Sequence, residues 1–143
     1  MLIILLQFCL PFCLSIIPNS LCQPGSTDTS LWTHYQRGER VYCGITFPDG
    51  IKKNDRLPRN VITPTTKSES HDELISPSEI LRLGLISKSQ WQVASIAALA
   101  LFEFGQAVAA EQGLMLVDTK YEFGVDSNNR VVLIDEVCSS FCE

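Results

Sequence analysis

Two segments near the end of the 143-residue chain constrain its fold most: residues 116–124, Leu-Val-Asp-Thr-Lys-Tyr-Glu-Phe-Gly, and residues 131–137, Val-Val-Leu-Ile-Asp-Glu-Val. A strand alternates faces with period two. Asp118, Lys120 and Glu122 therefore share one face, and Val117, Tyr121 and Phe123 the other. Gly124 to Asn129 is rich in turn-forming Gly, Asp, Ser and Asn, and the apolar run Val131 to Ile134 returns toward Asp135, so the spacing predicts a hairpin. Acids from both arms then converge beside a lysine. That grouping suits a divalent cation and a phosphate, because hard oxygens bind magnesium and an ammonium meets phosphoryl charge. The plainer alternative is a hairpin with one wet face, on which Asp118, Lys120 and Glu122 form a weak charge ladder. Spacing leaves the register open: a slip of one residue decides whether Asp135 or Glu136 joins the acids of the first arm.

Upstream, Ser76-Pro77-Ser78-Glu79 reads as a capping box with proline in the first turn. A second helix starts at Ser87 to Gln90, runs through Trp91, Ala94, Ala98, Leu101, Phe102 and Val108, and stops at Gly113. It is apolar around much of its circumference, as a core helix is, so Trp91, Phe102 and Phe104 are expected to be packing groups and not a base-stacking platform.

A net charge of −5 argues against broad nucleic-acid binding, which needs a basic face. Lys52, Lys53, Arg56 and Arg59 form a local exception in a loop-like stretch, best read as solvated charge. Residues 1–22 are apolar like the core of a signal peptide, yet they lack a basic start. Pro11 breaks them too early for a spanning helix, so no stable membrane span is expected. Cleavage near Cys22 would leave Cys43, Cys138, Cys142 and at most Cys22, which is no disulfide framework. Cys138 and Cys142 alone, without a second pair, read as free thiols.

The wording Leu-Val-Asp118-Thr-Lys120-Tyr-Glu122-Phe-Gly124 with Leu-Ile-Asp135-Glu136-Val137 resembles the signature of the SAICAR synthetase family, the phosphoribosylaminoimidazole-succinocarboxamide synthases of purine synthesis. Thr63-Pro64-Thr65-Thr66-Lys67, His71-Asp72, Ile75-Ser76-Pro77 and Gly25-Ser26 through Trp32 extend the resemblance, in a plant-like form, over Gly25 to Val137. It implies an α+β fold, ATP-grasp-like or kinase-like, with ATP held between two lobes. The implied activity is that of an ATP-dependent ligase. It phosphorylates the carboxylate of a carboxylated aminoimidazole ribonucleotide and lets the amine of L-aspartate displace the phosphate.

Carried over residue by residue, the resemblance makes Glu122 and Asp135 magnesium ligands, with Asp118 and Lys120 catalytic and Glu136 a nearby acid. Gly25, Ser26, Thr65, Thr66, Lys67, His71 and Asp72 would approach the substrates. Magnesium and a lysine are what in-line phosphoryl transfer between two anions requires. The chain departs from the family pattern before Gly25. There the resemblance implies a strand with an arginine and, earlier, a glycine-rich nucleotide-binding lobe, which is missing. It departs again after Val137. Residues 1–24 are thus expected to stand outside the family domain of residues 25–137, with 138–143 a divergent tail.

The chain is expected to be a truncated, poorly active copy of this ligase. Two other readings stay in view: a non-catalytic binding or dimerising fragment of the enzyme, with a homo-oligomer in prospect, and a small secreted binding protein. The chemistry implies an intracellular setting, and the plant-like wording a plastid for the full-length parent.

Overall fold

The computed structural model describes residues 6–17, 31–53, 55, 57–66 and 73–142. Its frame is a five-stranded antiparallel sheet. The strands are β1 (Leu6–Ile17), β4 (Val61–Thr66), β5 (Glu73–Leu74), β6 (Met115–Asp126) and β7 (Val131–Cys142), in the order β5-β4-β1-β6-β7. A separate two-stranded ribbon joins β2 (Val41–Tyr42) to β3 (Ile45–Thr46). The helices are α1 (Leu31–Gln36), α2 (Pro77–Arg82) and α3 (Lys88–Glu111). This is the α+β arrangement expected from sequence.

The N-terminal segment that sequence sets outside the domain is, over Leu6–Ile17, the central strand of the sheet. The physical reason is its composition. A run without charge and rich in Leu, Ile, Phe and Cys suits a strand paired on both edges, where alternation with polar residues is not required. Pro11 has no N–H for a ladder. It falls in a register shift between the pairs Cys9↔Gly124 and Cys13↔Glu122, and the pairing with β4 begins only at Phe12. Residues 138–142, set apart as a tail, continue β7.

Both long-range helices carry the expected caps. Ser76 accepts a hydrogen bond from the Glu79 N–H and starts α2, although the Glu79 carboxylate turns to Arg82 and does not close the box. Ser87 and Gln90 form a complete capping box at α3. At its far end Leu114 N–H bonds to Ala109 C=O and Gly113 N–H to Ala110 C=O, with Gly113 at φ +71°. This is a Schellman stop in which glycine relieves the left-handed strain.

Two apolar clusters lie on opposite faces of the sheet. Leu14, Leu116, Tyr121 and Phe123 pack with Ile80, Ala94, Ala98, Phe102 and Ala109 of the helices. Val61 packs instead with Leu31, Tyr35, Tyr42, Phe47 and Leu57, around α1 and the ribbon, while its neighbour Ile62 reaches the helical side. Successive residues of β4 thus serve different clusters, as a strand requires. The second cluster is braced by polar bonds: the Tyr35 hydroxyl donates to Pro48 C=O and accepts from Ile51 N–H, and Arg40 lies 4.1 Å over the Tyr35 ring while bonding Asp49.

Among the expected packing groups, Phe102 is fully buried and Trp91 lies against the helical cluster, but Phe104 is 70% exposed. An all-round apolar helix has two apolar sides, and the sheet covers one. Among the described residues α3 is also the one helix long and apolar enough to cross a membrane.

Candidate active site

The hairpin of β6 and β7 sets Glu122 directly opposite Asp135, Tyr121 opposite Glu136 and Lys120 opposite Val137. Asp135, and not Glu136, is therefore the β7 acid in register with Glu122. Just beyond, the pairing steps to Phe123↔Leu133, leaving Ile134 as the extra residue of a bulge. Asp118 and Glu136 are described by their backbone pairing alone, Asp118 with Ser140 and Glu136 with Tyr121.

On its other edge β6 pairs with β1, Glu122 with Cys13 and Lys120 with Ser15; β1 in turn pairs Cys13 with Thr65 and Ser15 with Thr63. Two rungs of the ladder, with the rung Pro64–Leu14–Tyr121–Glu136 between them, thus cross the sheet. One runs Thr65–Cys13–Glu122–Asp135, the other Thr63–Ser15–Lys120–Val137. Directly paired residues share a face, so Thr63, Thr65, Lys120, Glu122 and Asp135 project to the side away from α3. Tyr121 and Phe123, on the alternate positions, fill the helical core.

Burial grades along the first rung. Thr65 is buried, Glu122 half-buried and Asp135 exposed, so the rung opens toward solvent at β7. Thr65 Oγ1 is buried without a hydrogen-bond partner, the one such side-chain atom among the described residues. An orphaned hydroxyl normally has a ligand or water to meet. Thr66, next along, is already engaged, its hydroxyl donating to Glu73 C=O at 3.4 Å. Gly25, Ser26, Lys67, His71 and Asp72, assigned to substrate from sequence, lie outside the described residues.

Carboxylates directly opposite on an antiparallel pair, with Cα atoms about 4.5–5.5 Å apart, destabilise a hairpin unless a cation sits between them. Among the described residues no three His, Cys, Asp or Glu side chains gather as a metal cage. Magnesium needs none, since it keeps several waters and takes one or two carboxylates together with substrate phosphates. Glu122 and Asp135, two carboxylates directly opposite each other, suit that ion as donors.

A tight turn holds the register. Asp126, only 4% exposed, accepts from the N–H groups of Asn128 and Arg130 and from the Arg130 guanidinium at 2.8 Å. The Arg130 backbone N–H first, then its side chain and the Asn128 N–H, hold the Asp126 carboxyl below the ordinary aspartate value against the opposing effect of burial. Asn129, at φ +62°, accepts from Gln90 Nε2, which ties the hairpin tip to the N-terminus of α3. Sequence reasoning finds the turn but not this clamp, although an Asp two residues before Asn128 and four before Arg130 is its signal.

The family model for SAICAR synthetase matches residues 22–141. The chain is 58% identical over 113 residues to a phosphoribosylaminoimidazole-succinocarboxamide synthase of Legionella pneumophila, covering 79% of this chain and 36% of that protein. It is 56% identical over 113 residues to a chloroplastic synthase of Arabidopsis thaliana, covering 79% of this chain and 28% of that one. The chain thus spans about a third of the length of these curated relatives. Among solved structures, the SAICAR synthase of Saccharomyces cerevisiae complexed with SAICAR superposes with a TM-score of 0.70 at 26% identity, over 92% of this chain and 40% of that one. A type-2 SAICAR synthetase in complex with ADP gives 0.65 at 25% identity, over 90% and 46%. A match over most of its residues, at identities above half, settles the lineage: the chain belongs to the SAICAR synthetase family.

Proposed function

We propose that this chain carries the metal-binding hairpin and part of the substrate site of an ATP-dependent carbon–nitrogen ligase of purine biosynthesis. The observation that carries the reading is Glu122 standing directly opposite Asp135 across the β6–β7 hairpin. The names of the relatives supply the substrate class, and the ADP and SAICAR complexes of the solved structures support ATP and the ribonucleotide as ligands.

In the proposed reaction the γ-phosphoryl group of ATP passes to a carboxylate oxygen of the carboxylated aminoimidazole ribonucleotide, giving ADP and an acyl phosphate. The amine of L-aspartate attacks the carbonyl carbon, the C–N bond forms, the C–O bond to phosphate breaks, and the amine loses a proton. Glu122 and Asp135 would hold magnesium, which when bound offsets charge on the phosphates. Lys120, two residues along the same face of β6, would face the charge that develops during transfer, with Asp118 in the same strand. Gly25, Ser26, Thr65, Thr66, Lys67, His71 and Asp72 would orient the substrates. Residues 25–137 form the family domain in this reading, and the chloroplastic relatives support a plastid as the protein's location.

The test is to replace the matching segment of the Legionella pneumophila relative with residues 22–141 and to measure ADP release that depends on aspartate and the ribonucleotide. Turnover is expected. A folded chimera without turnover would contradict the reading.

A further inference from the structure

The turn that braces the second apolar cluster is anchored at its ends and open in its middle. The Tyr35 hydroxyl stands between Pro48 C=O at 2.8 Å and Ile51 N–H at 3.0 Å, and the Tyr35 ring is buried with Leu31, Phe47 and Leu57. Between those anchors lie Asp49 and Gly50, the only aspartate or asparagine followed by glycine in the 143 residues. The Asp49 side chain is 89% exposed, and its Oδ1 accepts from Arg40 Nε at 2.6 Å. Among the described residues its Oδ2 has no partner, and neither has the Gly50 N–H. Gly50 sits at φ +87° with nothing within 4 Å of where a Cβ would stand, so the peptide between the two residues can rotate without meeting a neighbour.

We propose that Asp49–Gly50 is a site of spontaneous backbone isomerisation, and that its product releases the brace made by Tyr35 and Arg40. The Gly50 amide nitrogen attacks Cγ of Asp49 and forms a C–N bond. Oδ2 takes the amide proton and one from solvent and leaves as water, which closes a five-membered succinimide. Arg40, on Oδ1, faces the oxygen that gains negative charge in the addition. Water then opens the ring. Attack at Cγ restores aspartate, whereas attack at the Asp49 backbone carbonyl breaks the original peptide bond and leaves the chain running through Cβ and Cγ as isoaspartate. Water is the only co-reactant. The isomerised backbone is one carbon longer between Asp49 Cα and Gly50 N, so Pro48 C=O and Ile51 N–H no longer both meet the Tyr35 hydroxyl. The carboxylate, now attached to Cα itself, leaves Arg40. Trp32, stacked on Tyr35 with ring centroids 5.8 Å apart, reports the change.

Incubation of the full chain for several weeks at neutral pH and physiological temperature, followed by peptide mapping, tests the site. Asp49 should carry several-fold more isoaspartate than Asp55 or Asp126, which precede Arg56 and Ser127. In a Trp91→Phe background the isomerised fraction should show Trp32 emission shifted to the red. Should that background unfold, the isomerised wild type should instead show a lower urea midpoint than the fresh chain. Asp49→Glu should stay unmodified, because closure there needs a six-membered ring. A folded chain without isoaspartate at Asp49 overturns the site, whether or not the chain forms it in urea. An isomerised chain with the emission and the urea midpoint of the fresh one overturns the release of the brace.

Discussion

Glu122 stands directly across the β6–β7 hairpin from Asp135, and the bulge at Ile134 follows at the next pair. Like charges directly opposite on an antiparallel pair oppose folding by themselves. Tyr121 and Phe123, at the alternate positions, supply the core contacts of the same strand. The hairpin therefore separates its two tasks by face, packing on one and charge on the other.

That separation predicts opposite outcomes for neighbouring substitutions. Phe123 is 3% exposed, so Phe123→Ala should destabilise the chain by about 3–5 kcal/mol in urea unfolding. Glu122→Gln, with shape kept and charge removed, should change stability by no more than about 1 kcal/mol. Equal losses would mean that the rung is structural.

Leu14 is fully buried in the central strand, between β4 and β6. Leu14→Ala should lower stability by about 2–5 kcal/mol, read from the urea midpoint. A neutral result would return Leu6–Ile17 to the position sequence gave it, outside the domain. The same contact bears on secretion: cleavage near Cys22 would remove the strand on which both halves of the sheet depend.

The secondary structure was legible wherever a pattern has a period or a cap. Alternation marked the first arm of the hairpin and an apolar run the second, Ser76 and Ser87 marked helix starts, and Gly113 a stop. The register was not legible, because it depends on the Asp126 turn and on the bulge at Ile134, neither of which changes the pattern of residue types. Nor was the role of Leu6–Ile17, since an uncharged apolar run fits a signal core and a doubly paired strand alike; only the pairs with Thr65 and Glu122 distinguish them. Phe104 illustrates a third limit. Apolarity foretells burial only where another surface exists to cover it, and the sheet reaches one side of α3.

The Asp126 clamp makes stability depend on acid. Its carboxyl is held below the ordinary value in the folded chain. The stabilisation is therefore fully present above the unfolded value of about 3.9 and is lost as pH falls through the lower folded value. Urea midpoints measured from neutral pH down to strongly acidic buffer should drop more steeply for the wild type than for Asp126→Asn. Parallel curves would exclude the clamp as a source of this dependence.

Cys43 is half-buried, and burial pushes its thiol up to about 12. Its thiolate is therefore scarce at mildly alkaline pH. Peptide mapping after brief iodoacetamide treatment should find Cys43 modified far more slowly in the folded chain than in urea. Equal rates would place this thiol in solvent.

The central claim is that Glu122 and Asp135 together hold magnesium. In the chimera that restores a full-length context, the most direct measurement is the magnesium dependence of ADP release driven by aspartate and the ribonucleotide. Glu122→Gln and Asp135→Asn should each raise the half-saturating magnesium concentration by roughly 10-fold or more while the protein stays folded, since each removes one of two anionic ligands. Magnesium curves that coincide with the unsubstituted chimera, at limiting and at saturating ion, would contradict the account and leave the paired acids as surface charge.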